Sequence, residues 1–124
     1  MNIVITAENR DDYLFVVSKG EIESSQELAV HAGMIYEEFM KYAPKKVLIY
    51  QLETTFPTEL SAYLTLVNHY IENFSNEAIS AKVAVVIAEE YKEIGEFWET
   101  VCTNRGFLYH SFTDLDKAER WLLK

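Results

Sequence analysis

The chain predicts an α/β fold: a mixed, mostly parallel sheet with an N-terminal β-hairpin, element order ββαβαβαβα, and helices packed on the sheet. Three features carry that expectation. "KKVLIYQL" and "KVAVVIA", beginning at Lys45 and Lys82, are continuous apolar runs that suit strands buried on both faces. Each is followed by apolar residues at helical spacing. At the start, "NIVITA" and "YLFVVS" are separated only by the polar "ENRDD", which reads as two antiparallel strands joined by a turn.

The elements follow in order. Gly20 closes the second strand. Ser24 stands three residues before Glu27, the spacing of a capping box, in which hydroxyl and carboxylate satisfy free amides at a helix start. The first helix carries Leu28, Ala32, Ile35, Phe39 and Tyr42 on one stripe until Pro44 stops it. After the third strand, "ETTFP" turns the chain into a second helix marked by Leu60, Tyr63, Leu64, Val67, Ile71 and Phe74, with Asn76 as its stop. The third helix follows the fourth strand and shows Ile94, Phe97, Trp98, Val101 and Cys102, with Gly95 weakening its first turn. Gly106 ends it as a left-handed cap, "FLYHSF" is the last strand, and Thr113 with Asp116 opens a final helix bearing Leu115, Ala118, Trp121 and Leu122. No linker or repeat interrupts residues 1–124, so one domain is expected.

Composition excludes several function classes. Twenty acidic against eleven basic residues give a net charge of −9, which repels a phosphate backbone, so nucleic acid is not expected as a partner. A single cysteine excludes an internal disulfide. The start has neither a basic n-region nor a long apolar stretch, and the run at 83–88 is too short to cross a bilayer, so a cytoplasmic protein without a membrane span is expected. The sequon at Asn73 then has no consequence.

Cys102 falls beside the apolar stripe of the third helix, near its C-terminal end, where the helix dipole raises a thiol pKa. Arg105 suits the free carbonyls of the last turn better than a reacting anion, and a phosphate-binding cysteine loop would need arginine where Leu108 stands. His31, His69 and His110 lie on separate elements with no ligand spacing, so no metal is expected, and hydrogen-bonded structural roles suit His31 and His110. Glu89, Glu90, Glu93, Glu96 and Glu99 alternate with apolar residues as a solvated helix face would. Four scattered glycines form no phosphate loop, so no nucleotide cofactor is expected. No catalytic residue emerges. What remains is "LETTFPTELS", which places Thr54, Thr55, Thr58 and Glu59 beyond a strand's carboxyl end at a helix start, as a binding or modification surface; the plainer reading is a threonine cap with Pro57 in the first turn.

The stretch "FWETVCTNRGFLYHSFTDLDKAERWL" resembles the SpoIIAA-like group of the STAS (sulfate transporter and anti-sigma antagonist) superfamily. The matching residues are Asn104, Arg105, Gly106, Phe112, Asp114 or Asp116, Ala118, Trp121 and Leu122. The resemblance implies a non-enzymatic regulatory or protein-interaction module with an unspecified protein partner, and it leaves a homodimer open. Antagonists of that group are phosphorylated on a serine at the N-terminus of the second helix, within an Asp-Ser-Ser/Thr-Gly type motif. Here "FPTELS" lacks both the Asp-Ser pair and the glycine, so phosphoregulation is not implied, and Thr55 or Thr58 matches by location only. The alternative function is a carrier or sensor of a small apolar ligand such as a lipid. It is suggested by the aromatic content and by lipid-binding proteins of similar sheet-and-helix construction.

Overall fold

The structure, a computed structural model, describes residues 2–69 and 80–124. Its strands are β1 (Ile3–Asn9), β2 (Leu14–Glu21), β3 (Lys46–Thr55), β4 (Lys82–Ile87) and β5 (Leu108–Phe112), and they form one sheet in sequence order. β1 pairs antiparallel with β2, and every later neighbour is parallel. The helices are α1 (Ser25–Tyr42), α2 (Ser61–His69), α3 (Lys92–Asn104), which a short 3-10 turn precedes, and α4 (Leu115–Leu123). The mixed sheet and element order are those the sequence predicts. The expected contributions of Ile71, Phe74 and Asn76 lie outside the described residues, as does the side chain of His69.

The pleat sorts the strands into two faces. Leu14 and Val16 of β2, Val47 and Ile49 of β3, and Val83 and Val85 of β4 pack against Phe39 of α1. Leu28 of α1, Tyr63 and Leu66 of α2, and Ile94 of α3 continue that layer around Ile87. On the opposite face Leu48, Ala84 and Val86 meet Ala118 and Leu122 of α4. Helices therefore cover both faces of the central strands, which is why those strands read as unbroken apolar runs.

Local signals act where they were expected, with small displacements. The amide of Glu27 donates to Ser24 Oγ at 3.2 Å, and Glu27 reaches back to the amide of Glu23 at 3.1 Å. At the far end of α1, Ala43 takes the left-handed conformation and donates to the Phe39 carbonyl before Pro44. The cap of α4 is Asp114, not Thr113, and its carboxylate accepts from the Asp116 amide at 2.9 Å. β2 runs through Gly20 rather than ending there; its φ is +134°, and a Cβ at this position would sit 1.8 Å from the Asn2 carbonyl oxygen. Gly95 lies within α3, where a Cβ would come 2.3 Å from Ser111 Oγ, so the glycine lets the helix approach β5 closely.

Two expectations change. α2 begins at Ser61, four residues after Pro57, so Pro57 is outside its first turn. Its buried stripe is Tyr63, Leu66 and Val67, while Leu60 and Leu64 are exposed, because Leu64 is rotated about 100° from Tyr63 around the helix axis. β3 also continues to Thr55, and its register against β2 steps by one: Val17 faces Tyr50 but Lys19 faces Glu53. β3 thus fits one extra residue opposite Ser18, a bulge that reverses which side chains face inward beyond it.

Candidate functional site

The bulge decides where the threonines of β3 point. Before it, Val47, Ile49 and Gln51 face the α1 side; after it, Thr54 does. Thr54 is 2% exposed, so it lies beneath the surface to which the sequence assigned it. Its hydroxyl donates to the Ser18 carbonyl at 2.8 Å and contacts Ser18 Oγ at 2.8 Å, while Ser18 Oγ meets His31 Nε2 at 2.8 Å. Each hydroxyl has one proton. With the Thr54 proton on the carbonyl, Ser18 donates to Thr54 and His31 Nε2–H donates to Ser18, which makes His31 the neutral Nε2–H tautomer. Burial pushes the His31 pKa down to about 4. His31 is the hydrogen-bonded structural histidine the sequence suggested, and it ties α1 to β2 and β3.

Thr55, Thr58 and Glu59 are exposed. The last two line an open groove of about 520 Å³ with Glu23, Ser24, Pro57 and Ser61, where the starts of α1 and α2 converge. Tyr63 Oη holds the loop by donating to the Pro57 carbonyl at 2.8 Å. The turn into α2 is closed by the carbonyls of Glu59 and Leu60, and among the described residues no threonine caps it.

Between the sheet and α1, α2 and α3 lies a cavity of about 160 Å³, walled by Leu28, Ile49, Phe56, Val85, Ile87 and Trp98 among others. Side chains with hydrogen-bonding groups also reach it, among them Gln51 from β3, His31 and Tyr36 from α1, and Tyr109 from β5. The sequence pattern assigns Gln51 no role, although it is the one residue between Val47 and Leu52 that is neither aliphatic nor aromatic.

Cys102 is buried against Phe107, and burial pushes its thiol up to about 12 despite an opposing effect from Arg105. The helix end that holds it is a Schellman motif. Phe107 N–H donates to the Cys102 carbonyl at 3.0 Å and Gly106 N–H to that of Thr103 at 3.1 Å, with Gly106 at φ +90°. Arg105 Nη1 donates to the Val101 carbonyl at 3.2 Å, the carbonyl-binding role expected of it. Glu99 departs from the solvated face: it accepts from the Ser111 amide at 2.7 Å and pairs with His110, fastening α3 to β5. Among the described residues no group of three metal-ligating side chains converges, and no helix is long and apolar enough to cross a membrane.

No family model matches the chain, and no curated protein does. Among solved structures, an anti-sigma factor antagonist from Mycobacterium paratuberculosis superposes with a TM-score of 0.65 at 15% identity, covering 99% of this chain and 96% of that one. An uncharacterised protein with a SpoIIAA-like fold from Shewanella loihica covers 97% of this chain and 93% of its own at 20% identity, with a TM-score of 0.48. The architecture is a SpoIIAA-like fold.

Two outcomes follow from these environments. Cys102 in the folded chain will resist thiol reagents and react at the unfolded rate only in denaturant, and Cys102→Ala will cost about 1 kcal/mol by urea titration; fast native labelling would contradict this. His31 has a folded pKa of about 4, below its ordinary 6.5, so the unfolded chain binds the extra proton between those values. Stability is then complete above pH 6.5 and falls by up to about 3 kcal/mol as pH drops toward 4. His31→Gln will flatten that slope in urea titrations at pH 7 and pH 4.5.

Proposed function

We propose that the chain is a regulatory module that acts by binding a protein partner, not by catalysis, and that the groove between the starts of α1 and α2 is the contact surface. The observation that carries this reading is the match along nearly the whole chain to a protein named as an anti-sigma factor antagonist. The groove supports it on physical grounds. Thr58 and Glu59 stand on its wall with Glu23, Thr55 ends the adjacent strand, and Leu60 and Leu64 expose apolar surface beside it. Carboxylates around a partly apolar patch suit a partner with a basic rim, in keeping with the net charge of −9. A cytoplasmic setting belongs to the same proposal, since a lone buried thiol suits a reducing compartment.

A second reading, a carrier or sensor of a small apolar ligand, draws on the cavity. Its 160 Å³ is comparable to the roughly 150 Å³ cavity that accepts benzene and smaller than the roughly 300–1,000 Å³ of drug-sized pockets. That volume suits one aromatic ring; a long acyl chain exceeds it.

The first reading is tested by affinity purification of the tagged chain from its own cells, read by quantitative mass spectrometry beside a Thr55→Ala, Thr58→Ala, Glu59→Lys variant. The expected result is a co-purifying protein whose recovery drops about tenfold in the variant while the melting temperature stays within a degree or so. Equal recovery from both chains would remove the groove as the contact surface.

A further inference from the structure

The cavity contains a polar group that the fold itself does not use. β3 places Val47, Ile49 and Gln51 in succession on the face covered by α1, and the pattern calls for a third aliphatic residue where the glutamine stands. Gln51 is 7% exposed. Among the described residues no hydrogen bond reaches its carboxamide, yet no fully occluded side-chain polar atom there lacks a partner. The carboxamide therefore opens onto space, and the space that Gln51 lines is the cavity. Its polar neighbours differ in this respect: Ser18, Thr54 and Nε2 of His31 are hydrogen-bonded to one another. A buried amide without partners is costly, whereas an aliphatic side chain of similar volume would pack at no such cost.

We infer that the cavity binds a neutral, ring-sized apolar molecule carrying one hydrogen-bonding group, and that Gln51 is the residue that reads that group. The inference rests on the second reading above and adds the chemical class of the ligand. Size follows from the 160 Å³ volume. Neutrality follows from the walls, which include no lysine, arginine, aspartate or glutamate among the described residues, so a charged head would be buried without a counter-charge. The hydrogen-bonding group follows from Gln51, whose carboxamide has no partner among the described residues, whereas His31 directs Nε2 to Ser18 and the Tyr63 hydroxyl donates to the Pro57 carbonyl. A site built to hydrogen-bond a hydroxyl or amide discriminates strongly against the analogue lacking it, since the protein's own group is then left unpaired.

The test measures binding of p-cresol, toluene and p-toluate to the full chain by calorimetry and by shift in melting temperature, in wild type, Gln51→Leu and, should the leucine fold poorly, Gln51→Met. Water holds p-cresol more strongly than toluene, so hydrophobicity alone favours toluene. The expected result is p-cresol bound at least about tenfold more tightly than toluene, p-toluate not bound, and the preference lost in the Gln51 variants while toluene affinity remains. Both variants should also melt above wild type when no ligand is present. Equal binding of p-cresol and toluene to wild type, or a preference that survives in the variants, overturns the role of Gln51 and leaves the cavity reading standing. Binding of p-toluate above p-cresol overturns the neutral ligand class. Failure of every probe to bind wild type overturns the inference together with the cavity reading.

Discussion

An extra residue in β3, accommodated opposite Ser18, is the constraint from which the interior of this protein follows. Without that step, strand periodicity would carry Glu53 inward and Thr54 outward. With it, Glu53 joins the exposed charges and Thr54 turns under α1, where its hydroxyl closes a chain from His31 through Ser18 to the Ser18 carbonyl. That chain is the polar fastening between α1 and the sheet. α1 in turn supplies Leu28 and His31 to the cavity wall, so the shape of the space beside Gln51 depends on the same step.

The other half of the molecule is held by different means. α3 approaches β5 across Gly95, is pinned by Glu99 to the Ser111 amide and His110, and ends in the Schellman motif whose apolar contact is Cys102 on Phe107. Each group that could suggest chemistry there has a structural partner: the thiol is desolvated, the arginine serves a carbonyl, and the carboxylate serves an amide. The chemistry left unassigned lies instead on the α1 side, in Gln51 within the cavity and in the exposed residues of the groove above it.

What could be read from the residues follows the range of the interactions involved. Buried strands, the cap at Ser24 and the left-handed Gly106 are written in a few adjacent positions and appear where expected. The inward turn of Thr54 is not, because a bulge is defined by the partner strand. The start of α2 at Ser61 depends on the loop held by Tyr63 and Pro57, six residues apart, so Leu60 and Leu64 imitate a core stripe that the helix does not have. Of the four residues assigned to a binding surface, three are exposed near the groove and one lies beneath it. Gln51 had a signal in plain view, a lone amide in an aliphatic run, but its meaning required knowing which face of β3 lines the cavity.

A double-mutant cycle joining Ser18→Ala and Thr54→Val, with unfolding free energies from urea titration, tests the bulge and the network together. The account predicts that the two side chains are coupled by about 1 kcal/mol or more. Effects that sum to within about 0.3 kcal/mol would mean that Thr54 does not reach Ser18, and the interior built on that contact would be wrong.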